Sequence, residues 1–134
     1  MDTRLINEKL VSRKDVRVWF WDGQREYKGD CRSMADNGFL AHLKATSPLE
    51  GPLTNARVHL LPVQRHLVGK TFTMELSSPK TKGEVKVAVE QVFIPSDKPD
   101  HFAVIVHFDV PPDPNFIKYL CQPSITEVPK KPGT

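Results

Sequence analysis

A barrel or sandwich of six or seven short antiparallel strands is the fold that this sequence predicts. Three observations point to it. Apolar and polar residues alternate over several separate stretches, the period of a strand with one buried face. Glycine-, asparagine-, aspartate- and proline-containing turns separate those stretches at regular spacing. One short segment near the C-terminal end carries helix-start signals, so the expected class is mainly β with a short C-terminal helix. The chain has 134 residues, enough for one domain with a core of its own.

The elements follow in order. Leu5, Ile6, Leu10 and Val11 fall at spacings compatible with a short helix, so residues 1–12 are expected to be an N-terminal arm or short helix docked on the domain. Val16, Val18 and Phe20 alternate with Arg17, Trp19 and Trp21, which predicts a first strand buried on both sides with both tryptophans in the core. Asp22-Gly23 signals a tight type I′ hairpin turn, and a second strand is expected from about Glu26 to Ser33. Asp36-Asn37-Gly38 is a second turn signal. After it Phe39, Ala41, Leu43 and Ala45 take one face of a third strand, with Leu40, His42 and Lys44 on the other. A loop follows over residues 46–55, then a strand with Val58, Leu60 and Val63.

Phe72, Met74 and Leu76 predict another strand. Val85, Val87 and Val89 predict the next, running to about Ile94, and Phe102, Val104, Val106 and Phe108 the last. Asp113-Pro114 reads as N-cap and first position of a helix over about 114–121, with Phe116, Tyr119 and Leu120 as its apolar face. The barrel domain is therefore placed at residues 13–121, and the polar, proline-containing tail at 122–134 is expected to be disordered.

Composition narrows the function classes. Apolar residues make up 39% and charged residues 26%, a globular balance, and no apolar run approaches the roughly 20 residues of a membrane helix. The first residues lack the apolar core of a signal peptide, so a cytoplasmic location without membrane insertion is expected. Cys31 and Cys121 belong to no Cys-x-x-Cys pair and are read as thiols. A net charge of +3 suits an anionic ligand but is small for a nucleic-acid binder.

Catalytic patterns are absent from the sequence. His42, His59, His66, His101 and His107 show no metal-ligand spacing, and neither a nucleophile elbow nor a dinucleotide fingerprint occurs. Val68-Gly69-Lys70-Thr71 echoes the end of a phosphate loop, but Gln64 stands where the upstream glycine belongs. The expectation is a binding protein with no catalytic residues, metal or cofactor.

The densest set of directed donors and acceptors lies between Ser12 and Gly38. Arg13 and Arg17 precede the first strand four residues apart, and Asp30, Arg32 and Ser33 close the second before the turn at Gly38. Arginine presents a planar fork that fits guanine O6 and N7 or a phosphate. Aspartate accepts from guanine N–H groups, and glycine allows close backbone approach.

This arrangement resembles the PilZ domain family, bacterial receptors for cyclic di-GMP. Arg13-Lys14-Asp15-Val16-Arg17 matches the family's Arg-x-x-x-Arg motif ahead of the first barrel strand, and Asp30 to Gly38 stands where its Asp/Asn-x-Ser-x-x-Gly element belongs. The resemblance covers about residues 12–121. It implies a six-stranded antiparallel barrel followed by a helix. It also implies a cyclic di-GMP site formed by Arg13, Arg17, Asp30, Arg32, Ser33 and Gly38, with a protein partner that senses the bound state.

The second motif departs from the family spacing. Two residues separate Asp30 from Ser33 where the family has one, and four separate Ser33 from Gly38 where it has two. A one-residue shift in a strand reverses the side chain's face. Asp30 and Ser33 can therefore share a face only if a bulge absorbs the extra residue.

Two other functions compete. A PilZ-like barrel without ligand would act only by protein contact, for instance in pilus assembly or motility. A single-stranded nucleic-acid binder on an OB-like barrel would stack bases on Trp19, Trp21 and Phe39, and the small net charge argues against it.

Overall fold

The computed structural model describes residues 15–121. The expected arm over 1–12, Arg13 and the tail over 122–134 lie outside the described residues. In chain order the elements are β1 (Arg17–Trp21), β2 (Glu26–Ala35), β3 (Gly38–Ser47), β4 (Gly51–Pro52), α1 (Ala56–Leu67), β5 (Thr71–Ser77), β6 (Lys82–Phe93), β7 (Phe102–Phe108) and α2 (Pro114–Leu120). The strands pair in the order β2-β1-β5-β6-β7-β3, and a further β2–β3 pairing closes the ring. The result is a six-stranded antiparallel barrel, with β4 as a two-residue addition to the end of β3. This is the mainly β barrel with a short C-terminal helix that the alternating pattern predicts.

The interior is filled by one face of each strand. Val18 and Phe20 of β1 point inward, as do Tyr27, Cys31 and Met34 of β2, and Phe39, Ala41, Leu43 and Ala45 of β3. Met74, Leu76, Val85, Val87, Val89, Phe102, Val104 and Val106 complete the ring from β5, β6 and β7. Phe20 stacks on Tyr27 with ring centroids 4.7 Å apart. Burying such a ring contributes about 2–3 kcal/mol.

Four local expectations are corrected. The stretch read as a strand around Val58, Leu60 and Val63 is the helix α1. Its buried residues Ala56, Val63 and Leu67, with Leu60 packed beside them, recur at helical spacing, whereas Val58 is exposed. Pro62 sits inside α1 on its exposed side, where solvent can replace the missing backbone bond.

Trp19 and Trp21 are not core residues; they are 40% and 46% exposed on the outer face of β1. The turn after β1 is not a two-residue hairpin. Trp21 pairs with Glu26, so Asp22–Arg25 form a four-residue loop, with Gly23 at φ 99°. In α2 the cap is as expected, with Asp113 accepting from the Asn115 N–H at 2.8 Å, but Tyr119 points outward and Leu120 carries the buried contact.

Asp22 ties the β1–β2 loop together. Its Oδ1 accepts from the N–H groups of Gln24 and Arg25, both at 2.7 Å, and its Oδ2 accepts from the Tyr27 hydroxyl at 3.0 Å. His66 of α1 approaches the Asp22 carbonyl at 3.0 Å, which fixes the helix end against this loop. Burial, with the Asp22 charge beside it, pushes the Tyr27 hydroxyl well above the usual tyrosine range.

Close backbone approach at Gly38 carries a direct consequence. A Cβ there would lie 2.0 Å from the Val106 carbonyl oxygen, where β3 crosses β7. Gly38→Ala is expected to lower stability by about 3 kcal/mol, seen as a lower urea midpoint at unchanged slope. An unchanged midpoint would show that β3 and β7 are not in this contact.

Candidate functional site

The outer face of β1, β2 and β3 carries the sequence-predicted residues, and register decides which of them meet. Arg17 pairs with Asp30, Asp30 with His42, and His42 with Ala103, so one row crosses four strands on the outside of the barrel. The Arg17 Nε–H is shared between the Gly29 carbonyl at 3.2 Å and Asp30 Oδ1 at 3.3 Å. Both side chains are partly exposed, so this ion pair orients the guanidinium more than it stabilises the fold.

The register of β2 on β3 shifts between Cys31 and Ser33. Cys31 pairs with Ala41 and Ser33 with Leu40, and Arg32 is the extra residue. A bulge of this kind restores parity after one inserted residue. Cys31 and Met34 therefore both face the core, and Asp30 and Ser33 both face outward. Without the bulge, Ser33 would take the inward position that Met34 fills.

The other predicted positions separate. Arg32 is half-buried at the bulge, and its charge is felt by His42. Gly38 begins β3, pairs with Ala35 and His107, and serves the backbone contact with Val106. The turn that precedes it consists of Asp36 and Asn37. Ser33 is only 8% exposed and lies beside a small outer apolar cluster of Ala35, Leu40, Phe93 and Ile105.

Sequence reasoning left His42 out of the site. Its Nδ1 is buried and has no hydrogen-bond partner among the described residues. Burial lowers its pKa, and the positive charges of Arg32 and Lys98 lower it further. Asp97 acts in the opposite sense, and His101 adds to the lowering. Beside it, Asp100 accepts from His101 Nδ1 at 2.8 Å and meets Lys44 Nζ at 3.4 Å. The hydrogen bond from His101 is the main reason that the Asp100 carboxyl titrates below its ordinary value. The alternation of β3 already placed His42 outward; only the cross-strand register puts it beside Asp30.

Taken together, the face offers a guanidinium, a carboxylate and a neutral imidazole on adjacent strands, with the Ser33 hydroxyl nearly covered at its edge. Lys28 and Lys44 form the next row toward Trp19. Such a surface can bind an anionic ligand that also presents hydrogen-bond donors. Among the described residues no three His, Cys, Asp or Glu side chains are placed to hold a metal ion, and no helix is long and apolar enough to cross a membrane. Compared with protein-family models, curated proteins and solved structures, the chain matches none of them.

The lowered pKa of His42 has a defined sign. The native state holds this imidazole neutral while the unfolded chain takes up a proton at the ordinary histidine value of about 6.5. Stability is therefore full above that value and falls as pH drops toward the native-state pKa. NMR titration is expected to place His42 below the ordinary value. His42→Leu is expected to flatten the pH dependence of the urea midpoint in that window. A His42 signal titrating above about 6.5 would contradict the burial described.

Proposed function

We propose that this barrel is a receptor for cyclic di-GMP that couples binding of the second messenger to a protein partner. The observation that carries the reading is the bulge at Arg32. It gives Asp30 and Ser33 a common outward face despite their extra residue of separation, with Arg17 already oriented beside Asp30. Cyclic di-GMP presents two phosphates and two guanines. In this reading Arg17 and Arg13 clamp a guanine and a phosphate through bidentate hydrogen bonds. Asp30 accepts from the N1–H and N2–H groups of a guanine, Ser33 adds a polar contact, and Arg32 neutralises phosphate charge. In this reading a protein partner senses the ligand-bound state of the barrel.

A second reading has its own support. Gly38 is accounted for by the contact of β3 with β7, and the Arg17 Nε–H already serves Asp30 and the Gly29 carbonyl. Both fit a PilZ-like barrel that has given up its ligand and acts by protein contact alone, for instance in pilus or motility regulation.

Titration calorimetry with cyclic di-GMP separates the two. The receptor reading predicts micromolar or tighter binding, weakened at least about tenfold in Arg17→Ala and in Arg13→Ala at unchanged circular dichroism. No heat at high protein concentration, with the fold intact, would favour the ligand-free barrel.

A further inference from the structure

Two large aromatic side chains stand on the outside of this barrel without a role in the row described above. Trp19 and Trp21 project from the same face of β1 on either side of Phe20, a two-residue step that sets their Cα atoms about 6.5–7 Å apart. Across the sheet Trp21 pairs with Glu26 and Glu26 with Thr46. With Pro48 these residues line a cleft of about 430 Å³. The Trp19 Nε1–H donates to Glu26 Oε2 at 2.7 Å, which fixes the carboxylate beside the indoles. Trp21 and Pro48 also border a neighbouring recess of about 430 Å³, which Leu49, 95% exposed, extends.

The fold limits how a partner can dock here. β1 lies between β2 and β5 through Arg17–Trp19, so an added strand has no free edge along that stretch. Recognition must come through the side chains. The cleft walls are two indoles, a proline and a threonine, and Glu26 is the single charged lining residue. Aromatic walls of this kind hold the rings of an extended proline-containing segment, whose conformation is largely set before binding. An arginine in that segment can stack on an indole face and reach the fixed carboxylate. A nucleotide would instead bring phosphate charge toward Glu26.

We propose that the Trp19–Trp21 cleft docks an extended, proline-containing and arginine-bearing segment of a partner protein. The cleft uses none of the residues assigned to cyclic di-GMP, so it stands whether or not the barrel binds that ligand.

The test follows the two indole N–H signals of the ¹⁵N-labelled protein. The probes are the blocked peptide Pro-Pro-Arg-Pro-Pro, its counterpart with glutamate in place of arginine, and a short oligothymidylate. The arginine peptide is expected to shift both signals saturably. Binding should weaken about tenfold in Glu26→Gln and be lost in Trp21→Ala, whose exposed site leaves the urea midpoint unchanged. The glutamate peptide and the oligonucleotide are expected to leave the signals in place. No shift with the arginine peptide at millimolar concentration would overturn the proposal. So would equal shifts with the glutamate peptide. Tighter binding of oligothymidylate, lost in Trp21→Ala, would make the cleft a nucleic-acid surface instead.

Discussion

Closure of the barrel is the constraint on which everything else depends. β3 must pair with β2 on one side and β7 on the other, and the two crossings leave no room for side chains where the backbones meet. Glycine occupies both places: a Cβ at Gly29 would lie 2.0 Å from the His42 carbonyl oxygen, and one at Gly38 equally close to that of Val106. The β2–β3 hairpin is long, and the bulge at Arg32 adds local twist to it. That same hairpin carries Asp30, Ser33 and His42. The geometry that closes the core thus also sets the outer face beside Arg17.

Much of this was legible in the sequence, and the failures have physical causes. The alternation in β3, in β5 and in β6 up to Val89 made their inward faces legible, because a strand with one buried side leaves a period of two, whereas β7 is buried on both faces and was legible as a strand from its short run of apolar, mostly β-branched and aromatic residues. The Asp113-Pro114 start of α2 was legible because cap chemistry is local. The helix α1 was not, because its outward face carries Val58, Leu61 and Pro62, and apolar residues on both sides hide a helical period in a short segment. The two tryptophans misled for a related reason. Alternation separates the faces of β1 but does not say which face is covered, and size alone suggested burial.

The candidate site was legible in its residue types and only partly in its geometry. Arg17 and Asp30 are adjacent because β1 and β2 pair in a register that the turn length sets, and that turn proved to be four residues. The need for a bulge between Asp30 and Ser33 follows from spacing alone. Its position at Arg32 follows from the requirement that both Cys31 and Met34 reach the core. His42 entered through cross-strand pairing, which no single segment of sequence contains.

The barrel therefore presents two unlike surfaces from neighbouring rows of the same sheet. One is a charged row of Arg17, Asp30 and His42; the other is the aromatic cleft of Trp19 and Trp21, whose Trp19 shares the next row with Lys28 and Lys44. The link between them is β1, whose outward face runs from Arg17 in the charged row to Trp19 and Trp21 in the cleft. The claim that underlies the ligand-binding surface is the bulge, and cross-strand NMR contacts in β2 and β3 test it most directly. The account predicts contacts of Cys31 with Ala41 and of Ser33 with Leu40, leaving Arg32 without an opposite residue. A regular ladder in which Arg32 faces Leu40 and Ser33 faces Phe39 would turn Ser33 into the core and contradict it.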